Sequence, residues 1–119
     1  MICKIQDFVG KTMASVVNKG NEELVFTTTD GEQYRMYHSQ DCCESVSIES
    51  IDGNLDDLVG EPITLAEEEV NSTDPMGLQN YDSFTWTLYG FATRKGNVII
   101  RWLGESNGYY SEGVDLWKE

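Results

Sequence analysis

The chain has 119 residues, of which 39% are hydrophobic and 11% aromatic, a composition that fits one domain with a packed core and argues against an intrinsically disordered chain. Its formal net charge of −13, from 21 acids against 8 bases, disfavours direct nucleic-acid binding, which depends on clustered Lys and Arg. No apolar stretch approaches the roughly 18 residues of a membrane-spanning helix, and the N-terminus does not resemble a signal peptide, so we expect a cytoplasmic protein that contacts no membrane.

The first third of the chain predicts a short helix followed by a β-meander. Residues 2–9 carry apolar side chains every three or four positions, and Gly10 ends this pattern, which is typical of one face of a short helix. Asp30 and Gly31 are a strong hairpin signal. The β-branched and aromatic residues around that turn predict three antiparallel strands at residues 12–18, 23–29 and 32–38.

The rest of the chain predicts further short strands. Aromatic and apolar residues occupy both faces of residues 83–93, so we expect a central strand that is covered on both sides. Residues 71–82 predict a long loop and residues 104–108 a glycine-bounded turn. The remaining predicted elements are strands at residues 45–51, 62–70, 98–103 and 111–116 and one helical turn at residues 55–60.

These elements predict a mainly β fold, α+β at most. We expect a compact antiparallel sheet, folded as a half-barrel or small sandwich, with a short N-terminal helix. The whole chain, residues 1–119, is expected to form a single domain.

The carboxylates are concentrated in the middle of the chain. Residues 36–93 hold twelve acids and no Lys or Arg, whereas all eight bases lie outside this segment. Such a segment favours a basic protein surface or a cation as partner, and the alternative is a solvated, solubilising face. The residues expected to contact a partner are the acids Glu49, Asp52, Asp56, Asp57, Glu61, Glu67, Glu68 and Glu69, with Tyr109 and Tyr110 as candidate aromatic anchors.

Residues 38–44 suggest a different kind of site. They contain the single histidine, two cysteines and two acids. Cys and His suit zinc, and a Cys–His pair can also act as nucleophile and base. Adjacent cysteines in an extended chain point to opposite sides, however, and are difficult to join in one site or one disulfide. The candidate ligands are His38, Asp41, Cys42 and Cys43; no cofactor and no catalytic residue are predicted.

The chain from about Gly31 onward contains distinctive motifs. They are Tyr37-His38-Ser39-Gln40-Asp41-Cys42-Cys43-Glu44, Ser106-Asn107-Gly108-Tyr109-Tyr110-Ser111-Glu112, and residues 56–63, 66–68, 84–89, 91–93 and 100–102. These motifs resemble a family of short uncharacterised bacteriophage proteins. The resemblance implies an infected bacterial cytoplasm, and it transfers no activity because the family has no established one.

In that context a small acidic protein is expected to occupy a basic surface of a host protein, such as a nucleic-acid-binding defence complex. Clustered carboxylates on a rigid sheet can imitate the charge spacing of a phosphate backbone and speed encounter. We therefore expect a non-enzymatic binding protein. The alternative is a metal-binding or thiol-based site in residues 38–44; the partner's identity and the oligomeric state are left open.

Overall fold

Nine β-strands and two short 3-10 turns account for the regular structure of the described residues. The computed structural model of the protein describes residues 2–39, 44–71, 83–106 and 112–119. The 3-10 turns are Ile5–Phe8 and Leu55–Leu58, and no helix among these residues is long and apolar enough to cross a membrane. The strands are β1 (Ile2–Cys3), β2 (Met13–Lys19), β3 (Glu23–Thr28), β4 (Gln33–Tyr37), β5 (Ser45–Asp52), β6 (Leu65–Asn71), β7 (Ser83–Thr93), β8 (Gly96–Ser106) and β9 (Asp115–Lys118).

The strands form two antiparallel sheets. The first has the order β1-β9-β4-β3-β2 and the second the order β5-β8-β7-β6. The predicted meander is confirmed, because β2 pairs with β3 and β3 with β4. The last strand lies between β1 and β4, so the two ends of the chain meet in the first sheet. The prediction of a mainly β, antiparallel fold is therefore confirmed, and the strands divide into two sheets.

The two sheets share one hydrophobic core. Phe26 of the first sheet and Phe91 of the second have ring centroids 5.8 Å apart, and Phe8 contacts both rings at 4.9 and 5.9 Å. Val98, Ile100 and Trp102, which alternate along β8, are fully buried. Alternate residues of a strand face one side of a sheet, so every second residue of β8 faces the core.

The predicted N-terminal helix is wrong. The chain begins with β1 and then makes the 3-10 turn Ile5–Phe8. Residues three apart lie above each other in a 3-10 turn, so Ile5 and Phe8 are both buried while Ile2 is 60% exposed. One turn of 3-10 helix thus satisfies the apolar spacing that suggested two turns of α-helix.

Three further predictions change in detail. Residues 104–106, predicted as part of a turn, belong to β8 and pair with β7. The last strand lies at Asp115–Lys118, later than predicted. Of the predicted loop at residues 71–82, Asn71 ends β6 and the remainder lies outside the described residues.

Candidate functional site

Three of the predicted acids lie together on β6, an edge strand of the second sheet. Glu67, Glu68 and Glu69 are all exposed. Glu67 and Glu69 point to the outer face of the sheet, whereas Glu68 pairs with Tyr89 on the opposite side. Within the described parts of the chain, none of the three forms an ion pair. Charged side chains on an edge also oppose pairing with a foreign strand, which is the structural explanation for the same acids.

The other predicted acids lie elsewhere. Glu49 and Asp52 are exposed on β5, the opposite edge of the second sheet. Asp56, Asp57 and Glu61 lie in or next to the second 3-10 turn. Two bases that directly follow β7 in the chain contact this region. The Lys95 Nζ donates to the backbone oxygens of Asp56 (3.0 Å) and Val59 (2.9 Å), and the Arg94 Nε lies 4.0 Å from the Glu61 Oε1. The structure therefore divides the eight acids into three groups.

Three bases in or next to the first sheet are compensated locally. The Glu32 carboxylate contacts Lys118 at 2.6 Å and Lys11 at 3.1 Å, and these hydrogen bonds lower the pKa of Glu32 and raise those of both lysines. Arg35 binds Glu23 through two hydrogen bonds of 2.8 and 3.1 Å, which lower the pKa of that carboxyl. Glu22 and Asp30, at exposed turns of the first sheet, form no ion pair among the described residues, but only the second sheet carries several such acids on one strand.

Between its two acidic edges, the outer face of the second sheet is apolar. The Arg101 guanidinium lies over the Trp86 ring, 5.7 Å from its centroid. Trp86, Leu88 and Arg101, with Asn71, line a shallow depression of about 400 Å³. The expectation that β7 is central is confirmed. The expectation that both its sides are covered is not met among the described residues, where the core-facing side is buried and the outward side chains are half-buried. We call six of the outward residues of β7 and β8 the apolar stripe: Phe84, Trp86, Leu88, Gly90, Ile99 and Leu103.

His38 is buried and hydrogen-bonded through both ring nitrogens. Its Nδ1 lies 2.7 Å from the Gly113 carbonyl oxygen, and its Nε2 lies 3.2 Å from the Glu44 Oε1. A carbonyl oxygen only accepts hydrogen bonds, so Nδ1 donates to Gly113. A metal ion at His38 would have to displace one of these two contacts.

A second buried carboxylate lies in the chain next to Gly113. Thr85 Oγ1 donates to the Glu112 Oε1 at 2.6 Å, and the Ser106 hydroxyl donates to the Glu112 Oε2. His38 binds Gly113, and Gly113 directly follows Glu112, so the described ends of segments 38–44 and 106–112 lie close together. Sequence reasoning missed this carboxylate; the acid at the end of the motif at residues 106–112 was the available signal.

Several predicted site residues lie outside the described part of the chain: Asp41, Cys42, Cys43, Tyr109 and Tyr110. Where residues are described, no group of three or more His, Cys, Asp or Glu side chains is placed to hold a metal ion. The metal or thiol site and the tyrosine anchors stay predictions.

A cleft of about 390 Å³ opens between the sheets where β1 and β9 approach β6. Tyr89 and Glu68 line it, together with Cys3 and Asp115. Burial, reinforced by the charge of Glu68, raises the pKa of Tyr89 far above its usual range, and its hydroxyl donates to the Val114 carbonyl oxygen at 3.3 Å. Tyr89 is therefore a neutral structural hydrogen-bond donor rather than an acid–base group.

Comparison with known proteins identifies one relationship. Residues 6–116 match a family model described as a domain of unknown function. No curated protein and no solved structure matches the chain. The matched span includes every strand of the second sheet and the polar contacts around His38 and Glu112.

Proposed function

The chain belongs to the DUF7448 family, and from that premise we propose that it is a non-enzymatic acidic protein that binds a basic surface of another protein. In the bacteriophage context suggested by its motifs, the partner is a host protein. A nucleic-acid-binding complex of host defence is the case in which such a protein would act as an inhibitor, by taking the place of the nucleic acid.

One observation carries this proposal: the distribution of compensated charge. Glu32 and Glu23 of the first sheet are matched by bases at hydrogen-bond distance. Glu67 and Glu69 on β6 are exposed and form no ion pair with any described residue. Three consecutive exposed carboxylates on β6 form a local concentration of negative charge, which attracts a basic partner.

The spacing of these carboxylates supports charge mimicry. Glu67 and Glu69 are two residues apart on one face of a strand, which corresponds to roughly 6.7 Å along it. The phosphates of a nucleic-acid strand are likewise negative charges repeated at regular intervals. A basic groove that contacts such a row would meet carboxylates repeated along one face of β6.

The buried polar groups do not favour catalysis. His38 and Glu112 are held by hydrogen bonds inside the protein, and Tyr89 stays protonated. A general acid or base needs to reach a substrate atom within hydrogen-bond distance. These groups are better explained as supports for the segments that join the two sheets.

The proposal can be tested by competition with DNA. A bacterial lysate is loaded on DNA-cellulose, and the purified protein is used to elute bound proteins at low and moderate salt. We expect specific elution that weakens with salt, because screening reduces charge attraction. The double variant Glu67→Lys/Glu69→Lys should lose this effect.

The matched control is Glu22→Lys/Asp30→Lys, which makes the same change in net charge at two exposed turns of the first sheet. It should elute like the unmodified protein. Elution that is absent, indifferent to salt, or reduced equally by both double variants would overturn the proposal.

A further inference from the structure

The outer face of the second sheet combines apolar side chains with acidic edges, as a binding surface does. We propose that the apolar stripe is the centre of the binding surface and that it takes a basic amphipathic α-helix of the partner protein. This inference rests on the proposed function, since it names the part of the protein that makes contact and the kind of partner segment that fits.

The composition of this face is unusual for a solvated sheet. An antiparallel sheet with one face in water normally alternates apolar residues inside with polar residues outside. Here β7 and β8 place aromatic and aliphatic side chains on both faces. On the outer face Ile99 is 42% exposed, and Phe84, Trp86, Leu88 and Leu103 are half-buried. Contiguous exposed apolar surface with a polar rim marks interaction sites.

Gly90 deepens the same surface. It pairs with Glu67 on one side and Ile99 on the other, so it faces outward between them. A Cβ atom built on Gly90 would meet no heavy atom within 4 Å. Glycine inside a strand weakens the strand and often marks close approach of another chain or a ligand. The missing side chain leaves an open depression beside Leu88.

Charge borders the stripe on both sides. Glu67 and Glu69 lie on β6 and Asp52 on β5, while Glu105 lies at the end of β8. Arg101 is the one base on this face among the described residues. The complementary surface is an apolar strip with bases along both flanks, which is the pattern of a basic amphipathic helix.

The dimensions agree with a single helix. The edges β6 and β5 are three strand spacings apart, or roughly 14 Å, and a helix with its side chains is about 10–12 Å wide. The stripe runs from Phe84 to Gly90, roughly 20 Å along β7, which a helix of about 14 residues spans.

Charge also argues against a second copy as the occupant. Two copies packed face to face would bring acidic borders against acidic borders, and like charges across an interface are costly. A nucleic acid is disfavoured for the same reason.

The test uses three synthetic peptides of about 16 residues built from Leu and Lys. The first has a leucine stripe flanked by lysines in a helical arrangement, the second has the same composition in an order that forms no stripe, and the third replaces Lys with Glu. Fluorescence anisotropy of labelled peptide against the full chain gives the Kd. We expect the striped basic peptide to bind, the reordered one to bind at least about tenfold more weakly, and the acidic one not to bind.

Protein variants then locate the contact. Ile99→Ser should weaken binding of the striped peptide about fivefold, because part of an apolar side chain is no longer buried. Its control is Val17→Ser on β2 of the first sheet, a β-branched residue of similar exposure, 45% against 42%, which should leave binding unchanged. Glu67→Lys/Glu69→Lys should weaken binding tenfold or more, because two attractive contacts with the basic peptide become repulsive. Glu22→Lys/Asp30→Lys should weaken binding only slightly.

The outcomes separate this inference from the proposed function. Equal binding of the striped and reordered peptides, or no effect of Ile99→Ser, would overturn the inference and leave charge-driven binding intact. A dimer that sedimentation detects and Ile99→Ser dissociates would make a second copy the occupant and also overturn it. If no basic peptide binds and no protein is eluted from DNA-cellulose, the inference and the proposed function are both wrong. If proteins are eluted but no peptide binds, only the inference is wrong.

Discussion

The His38 Nε2 lies 3.2 Å from the Glu44 Oε1, and both side chains are buried from solvent. The His38 Nδ1 donates to Gly113, so the ring binds the Gly113 carbonyl through one nitrogen and the Glu44 carboxyl through the other. The strands β4 and β5, which belong to different sheets, are thereby joined beside their connecting segment.

Replacement of Glu44 should separate the hydrogen bond from the charge. Glu44→Ala removes the partner of a buried imidazole, and we expect the free energy of unfolding to fall by about 2–4 kcal/mol. Glu44→Gln should cost less than about 1 kcal/mol, because the side-chain amide offers both a donor and an acceptor to Nε2. Urea denaturation measures both. Equal losses would contradict this account and indicate that the carboxylate charge itself is needed.

Local patterns in the sequence were sufficient for much of the second sheet. Residues 83–93 were predicted as a strand and form β7 with the same bounds, because aromatic and β-branched residues make up most of the segment and favour a strand. The N-terminal segment failed for the opposite reason. Apolar residues three apart fit both an α-helix and a 3-10 turn, and the choice depends on packing against Phe26 and Phe91.

The candidate site was harder to predict, since it depends on which strands become neighbours. The sequence placed Phe84, Trp86 and Leu88 on one face but could not say that this face would stay partly exposed. It also identified a segment free of Lys and Arg, yet the fold brings Arg94 and Lys95 to Asp56 and Glu61 from a distant part of the chain. The segment without Lys and Arg therefore predicted a larger acidic cluster than the fold forms.

The metal hypothesis makes a separate prediction. Both ring nitrogens of His38 already have partners, so we expect untagged protein to carry clearly less than one equivalent of zinc in elemental analysis. His38→Gln should then leave the metal content unchanged. A full equivalent that His38→Gln abolishes would support the site predicted from His38, Asp41, Cys42 and Cys43 and contradict our expectation.

Gly104 should tolerate no side chain. A Cβ atom at this position would lie 2.6 Å from the Glu112 carbonyl oxygen and 2.7 Å from the Glu112 Cβ. Because one of these atoms belongs to the backbone, relief requires moving the segment that carries Glu112 and its hydrogen bonds to Thr85 and Ser106. We expect Gly104→Ala to lower the free energy of unfolding by about 2 kcal/mol or more in chemical denaturation. A neutral result would show that this segment shifts freely.

The ion pair of Arg35 and Glu23 predicts a pH-dependent loss. Hydrogen bonding to Arg35 lowers the pKa of Glu23 in the folded protein, so its contribution is present above the unfolded value of about 4.3 and is lost as pH falls through the folded value. We expect Glu23→Gln to cost up to about 1 kcal/mol at neutral pH, since both side chains are partly exposed. The cost should vanish in acid. Glu22→Gln, at an exposed turn residue, is the control and should change little at either pH.

Gly90 provides the variant in which stability and binding should move in opposite directions. It lies inside β7, faces outward, and has open space where a side chain would stand. Gly90→Val supplies a β-branched residue that lowers the entropy of the unfolded chain, so we expect the free energy of unfolding to rise by about 0.5–1 kcal/mol. The same side chain fills the depression between Glu67 and Ile99, and binding of the striped basic peptide should weaken several-fold.

Thermal or urea denaturation measures the stability of Gly90→Val, and fluorescence anisotropy on the same preparation measures its peptide affinity. A more stable protein with unchanged peptide affinity would place the contact away from the apolar stripe, whereas a less stable one would mean that the space beside Gly90 is not open.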